Sequence, residues 1–133
     1  MFTITKQFHF SAAHQLMRVP EGHPCGRLHG HNYIVEIVLQ SRVLTDQQWV
    51  KDFGDLDLVK NFIDEEWDHR NLNDWFEQFS DPDFDPEDGP AETTAEMLAF
   101  VLYDTFKGSL SQLVAVRVSE TPKTWAEYRR DDR

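Results

Sequence analysis

The stretch FTITKQFHF, Phe2 to Phe10, decides how this chain folds. Phe2, Ile4, Phe8 and Phe10 alternate with Thr3, Thr5, Gln7 and His9, and a period of two places the aromatic side chains on one face of a strand. Outward from it, Tyr33 to Val43 is rich in β-branched residues, with Glu36, Gln40 and Arg42 on one parity, as expected for a second strand with one face partly in water. From Asp55 the period changes. Leu56, Val59, Phe62, Ile63 and Trp67 recur at helical spacing as far as the polar run Asp68-His69-Arg70-Asn71, predicting an amphipathic helix. Thr93-Thr94-Ala95-Glu96 reads as a capping box with Thr93 at the N-cap and Glu96 at N3, followed by Leu98, Val101, Leu102 and Phe106 and stopped by Gly108. Leu113 to Glu120 puts Val114, Val116 and Val118 on one strand face, and Pro122 marks the turn to a last strand holding Trp125 and Tyr128. The order β-β-α-α-β-β predicts an α+β fold, an antiparallel sheet with its helices on one face. Its two open edges predict closure against other copies of the chain.

A chain of 133 residues is the length of one domain, here spanning 1–133. Thirteen Lys and Arg stand against 24 Asp and Glu, a net charge of −11, which argues against nucleic acid or an anionic membrane surface as partner. The charge is uneven. Asp74 to Glu92 holds eight acidic residues, three prolines and no Lys or Arg, the composition of a solvated loop. A lone Cys25, a start without a basic and apolar leader pattern and apolar runs far below the ~20 residues of a membrane helix predict a cytoplasmic protein.

His29-Gly30-His31 is the sharpest chemical feature. Residues i and i+2 of a strand point to one side, so two imidazoles can converge on one ion. The spacing admits His9, His14 or His23 as a third ligand. Cys25 lies four residues before the triplet, between Pro24 and Gly26, where a thiolate beside a dication can act as ligand, base or nucleophile. Asp68-His69 reads either as a carboxylate tuning an imidazole for proton transfer or as a histidine settled at a helix C-terminus. Glu120 ends an otherwise apolar strand face, where a carboxylate calls for a donor partner.

FHFSAAH (Phe8 to His14), EGHPCGRLHGHNY (Glu21 to Tyr33), DFGDL (Asp52 to Leu56), WDHRNLND (Trp67 to Asp74), TTAEMLA (Thr93 to Ala99) and VSETPKTW (Val118 to Trp125) together resemble the 6-pyruvoyltetrahydropterin synthase / 6-carboxytetrahydropterin synthase superfamily, nearly end to end and in order. The resemblance implies the tunnelling fold (T-fold), with sheets joined into a trimeric barrel and trimers stacked as hexamers. It implies one Zn2+ per subunit held by His14, His29 and His31, Cys25 as catalytic thiol, Asp68 and His69 as a proton relay, and Glu120 as anchor of the pterin 2-amino and N3 edge. Thr94 corresponds to a pterin-contacting threonine, although this chain has TTAE where many members have TSE or TTE. Against a net charge of −11, a triphosphate calls for local cations, for which Arg27 and Lys123 are the first candidates, followed by Arg18 and Arg70. His9 and His23 match no family role. Three residues separate Cys25 from His29, the spacing of the 6-carboxy enzymes of queuosine and deazapurine synthesis; the 6-pyruvoyl enzymes have five. The implied reaction therefore turns 7,8-dihydroneopterin triphosphate into 6-carboxy-5,6,7,8-tetrahydropterin, acetaldehyde and triphosphate. Triphosphate elimination alone is the alternative, and a zinc-stabilised assembly protein without catalysis a more distant one.

Overall fold

A computed structural model describes residues 1–79, 81, 87, 89 and 91–131. Four antiparallel strands form one sheet in chain order, β1 (Phe2–His14), β2 (His29–Ser41), β3 (Leu113–Thr121) and β4 (Thr124–Arg129). Among the described residues three α-helices, α1 (Asp57–Phe62), α2 (Leu72–Phe76) and α3 (Ala95–Phe106), accompany it. Phe8, Phe10, Tyr33, Val35, Ile37, Leu39, Val116 and Val118 on the sheet share a core with Leu56, Val59, Trp67, Leu98 and Leu102 from the helical side. Each such large apolar side chain contributes roughly 1.5–3 kcal/mol by leaving water. Among the described residues no helix is long and apolar enough to cross a membrane.

The first two strands are longer than their patterns suggest. β1 keeps its parity through Ala12 to His14, and β2 begins at His29, four residues before Tyr33. The HGH triplet is therefore inside the β1–β2 ladder, with Ala12 opposite His31 and His14 opposite His29. Val114 does not share a face with Val116 and Val118. The register shifts at Val38/Leu39, Val38 pairing with Ala115 and Leu39 with Leu113, so Val114 is the extra residue of a bulge. It joins Val38 and Ala115 in a small second cluster.

The helical layer differs in two places. Leu72–Phe76 is a short helix capped by Asn71, so the acidic stretch starts in ordered structure, with Phe76 1% exposed in the core; most of the stretch after Phe79 lies outside the described residues. The N-cap of α3 is Thr94, whose hydroxyl accepts from Met97 N, and not Thr93. Glu96 consequently sits at N2, and the capping box is not formed as read. Two consecutive threonines match that pattern equally well, and Thr93 is drawn elsewhere.

After α1 the chain makes a π-helical turn, Ile63–Trp67, closed by the bond from Asp68 N to Ile63 O at 2.8 Å. The wider turn leaves Trp67 wholly buried and turns Asp68 into an extended residue beside β1. His69 then takes a left-handed backbone, φ 59°, a conformation that costs a non-glycine residue on the order of 1–3 kcal/mol. Bonds from His69 N to Ser11 O and from Ala13 N to Arg70 O stitch this segment to the edge of β1.

Candidate metal centre and flanking cleft

The register of β1 on β2 brings three imidazoles together. Ring centroids lie 4.6 Å apart for His14 and His29, 4.8 Å for His29 and His31, and 5.1 Å for His14 and His31, with the rings edge-on. One ligand nitrogen from each falls within 4.8 Å of the other two, and this group can hold a metal ion. His14 is the third member. His9 has the opposite parity and is exposed, and the His23 ring instead accepts from Cys25 N at 3.0 Å.

Backbone carbonyls orient two of the rings. Nδ1 of His14 donates to Thr93 O at 2.7 Å and lies 3.2 Å from Thr93 Oγ1; Nδ1 of His29 donates to Arg27 O at 2.6 Å. A carbonyl only accepts, so the ring hydrogen sits on Nδ1 and Nε2 is left to coordinate, the usual outer-sphere arrangement of a metal-binding histidine. Burial pushes His14 and His31 below the ordinary imidazole range, which the nearby Glu120 carboxylate partly offsets; neutral rings are the form a metal needs. Nε2 of both is buried without a hydrogen-bond partner. Buried nitrogens of this kind are costly unless something binds them, so the donor set fits a divalent ion on its own chemistry.

Glu120 completes the cluster's rim. Its carboxylate oxygens lie 4.0 Å from His14 Nε2 and 3.8 Å from His31 Nε2. Beside it opens a cleft of about 680 Å³ lined by Phe10, His31, Tyr33, Asp68, Glu120 and Pro122 among others. β2 and β3 stop pairing at Ile34 and Ser119, so the strands part where this cleft begins. A smaller cavity of about 330 Å³ lies where α3 starts, with Thr94, Trp125 and again Glu120 in its wall. Tyr33, stacked on Phe10 at 4.7 Å, has a buried hydroxyl with no partner, and burial pushes that hydroxyl's pKa up so that it stays protonated.

Asp68 and His69 meet side by side. Asp68 Oδ2 lies 2.9 Å from His69 Nδ1, and Oδ1 accepts from Ser11 N at 2.9 Å. The Ser11 N–H, with help from His69, holds Asp68 below its usual carboxylate range. Asp68 lines the main cleft, while the His69 side chain is 81% exposed in an adjoining groove with His31.

Cys25 and Arg27 stand apart from this group. Cys25 sits half-buried in the 3-10 turn Pro24–Gly26, its carbonyl accepting from Leu16 N at 2.9 Å. The turn is tied further by Gln15 Nε2 to Gly26 O at 2.8 Å. Neither Cys25 nor Arg27 lines the main cleft. The backbone of Arg27 nevertheless reaches the histidine cluster through His29. Thr93 was missed as a positioning residue because its partner is 79 positions away and no local pattern announces it.

Comparison with known proteins places this arrangement. Residues 3–131 match the sequence model of a family described as 6-pyruvoyl tetrahydropterin synthase. A Bacillus subtilis protein named 6-carboxy-5,6,7,8-tetrahydropterin synthase is 33% identical over 134 residues, covering 96% of this chain and 85% of the relative. A Haemophilus influenzae protein of the same name is 29% identical over 146 residues, covering 96% and 99%. The structure of Caenorhabditis elegans 6-pyruvoyl tetrahydropterin synthase superimposes with a TM-score of 0.77 at 25% identity, covering 98% of this chain and 96% of that one.

Proposed function

This chain belongs to the 6-pyruvoyl tetrahydropterin synthase family, and from that premise we propose that it is a zinc-dependent lyase making 6-carboxy-5,6,7,8-tetrahydropterin from 7,8-dihydroneopterin triphosphate, with release of acetaldehyde and triphosphate. The observation that carries the reading is the convergence of His14, His29 and His31, two of them with buried, unpartnered Nε2 atoms, beside a cleft that His31 lines together with Asp68 and Glu120. Relatives named for the 6-carboxy product favour it over the 6-pyruvoyl product, as does the spacing from Cys25 to His29.

His14, His29 and His31 hold one Zn2+ per subunit; when bound, the ion supplies positive charge that lowers the cost of negative charge developing on side-chain oxygens of the substrate. Glu120 accepts hydrogen bonds from the 2-amino group and N3 of the pterin, with Thr94 beside it in the smaller cavity. That anchorage sets the position of the side-chain carbons. Cys25, although it does not line the main cleft of the single chain, serves as the base that removes a proton from them, and His69, held by Asp68, moves protons on the other side. Loss of triphosphate and cleavage of a carbon–carbon bond, with one water consumed, both follow from such transfers and need no redox cofactor. Arg27 and Lys123 meet the triphosphate. Positive charge near the site is required because the chain repels anions on average, with a Debye length of about 8 Å at physiological ionic strength.

The edge of β4 and that of β1 before Ser11, beyond the part of β1 covered by the His69–Asn71 segment, join those of other copies, closing a barrel as a trimer or a hexamer of two trimers. The chain works as one T-fold domain over 1–133 in the cytoplasm, in queuosine or deazapurine synthesis, with no nucleic acid or membrane partner.

Product analysis tests the reading. Zinc-loaded protein incubated with 7,8-dihydroneopterin triphosphate is expected to yield 6-carboxytetrahydropterin and acetaldehyde. Formation of 6-pyruvoyltetrahydropterin alone would assign the family's other reaction. If neither appears the synthase reading fails, and full turnover by Cys25→Ala would remove the thiol from the role of base.

A further inference from the structure

Glu120 stands between two cavities. It walls the larger cleft with His31 and the smaller one with Thr94 and Trp125. Its carboxylate oxygens face Nε2 of His14 and of His31 at 4.0 and 3.8 Å, and neither buried nitrogen has a hydrogen-bond partner. Because Nδ1 of His14 donates to Thr93 O, Nε2 carries a lone pair 4.0 Å from the carboxylate. A lone pair and a carboxylate oxygen repel unless positive charge lies between them. Two atoms bound to one tetrahedral ion by bonds of about 2.1 Å are about 3.4 Å apart, so Glu120 is about half an ångström from sharing an ion with both rings.

From this geometry we infer that Glu120 is a fourth ligand of the metal centre while the pterin site is empty, and that docking of the pterin ring draws the carboxylate away and frees a coordination position. The same side chain cannot hold the ring and close the centre at once. Ring docking thereby becomes the event that opens the metal to the substrate side chain, and stray anions meet a closed centre. The inference rests on the ring-anchoring role given to Glu120 above.

Cobalt(II), bound in place of zinc, is the probe. The full chain and its Glu120→Gln variant are compared by chelator competition and by visible absorption. Glu120→Gln is expected to bind Co2+ at least about 10-fold more weakly, the lower bound seen when an outer-sphere partner is lost, and to show a changed ligand-field spectrum. Equal affinities with identical spectra would overturn the inference. In the unmutated protein, unsubstituted pterin is added until its fluorescence is quenched, and the cobalt spectrum is expected to move toward that of Glu120→Gln. Quenching with an unchanged spectrum, or no binding at all, overturns the displacement; this arm decides the matter even if the variant folds poorly. Neither readout involves turnover. A chain that passes both and forms no 6-carboxytetrahydropterin keeps its fourth ligand and loses the proposed reaction, whereas product formed with unchanged cobalt affinity does the reverse.

Discussion

The two ends of the β1–β2 ladder share one face, one pleat and one parity, yet they bury opposite kinds of surface. Toward the middle, Phe8 pairs with Val35 and Phe10 with Tyr33, and Ile37 and Leu39 continue the row fully buried. At the other end Ala12 pairs with His31 and His14 with His29. Apolar side chains in the first half are satisfied by contact with α3 and the α1 segment, because dispersion and exclusion of water ask for no particular partner. Imidazoles in the second half are directional, and two of their nitrogens remain unpaired. One half of the face is complete as folded; the other leaves two buried nitrogens free to bind.

That contrast can be broken from either side. The largest effect is expected from His29→Ala, which removes one of the three imidazoles proposed to hold the metal. Turnover should fall by about 10³-fold or more, since several kcal/mol of charge stabilisation go with the ion, while metal analysis shows the loss directly. Thermal unfolding of the metal-free variant should stay close to that of the metal-free parent. If the variant keeps its metal, the three-imidazole centre is wrong. Ile37→Ala should do the converse. With the site emptied by truncation of a wholly buried side chain, stability falls by about 2–5 kcal/mol in denaturant titration, and metal affinity of the folded fraction is unchanged. Coupled loss of both would mean that the two halves are not separable.

Chelation should give a smaller shift. A metal present at about 100 times its dissociation constant stabilises by about 2.7 kcal/mol, so a chelator is expected to lower the melting temperature of the parent and leave His29→Ala unmoved. Smallest is the pH response of the metal-free protein. His14 and His31 are held below 6.5 when folded, so below about that pH the unfolded chain binds protons that the folded one refuses. Stability should be fully present above pH 6.5 and decline as the pH falls from there toward the folded-state values. Replacing His14 with Ala should flatten that slope between pH 7.5 and 5.5; an unchanged slope would remove His14 from the titration.

Much of the histidine cluster is legible in the sequence. Even-numbered Phe8 and Phe10 define the inward face of β1, and extending the count reaches Ala12 and His14 while excluding His9. The strand reading stopped at Phe10 because Ser11-Ala12-Ala13 carries no β-branched or aromatic residue, so His14 entered as one candidate of three. Thr93 and Thr94 show a different limit. Either suits the N-cap, and what separates them is that Thr93 is committed to His14. Val114 shows a third: a bulge reverses parity, and nothing in LVAVRV marks where the extra residue falls. Asp68-His69 was legible as a pair, but its attachment to Ser11 across 57 residues was not.

The chain's own order of residues determined which side chains could share a face, where helices start and stop, and that two histidines spaced by one residue would point the same way, because these follow from local backbone geometry. Tertiary structure decided the rest. It brought His14 against His29 and His31 through the pairing with His29, turned the ring of His14 with a carbonyl from before α3, and set the Glu120 carboxylate against two buried nitrogens. Those choices depend on register and on packing between distant segments, and a slip of one residue between β1 and β2 would have sent every inward side chain of one strand to the opposite face.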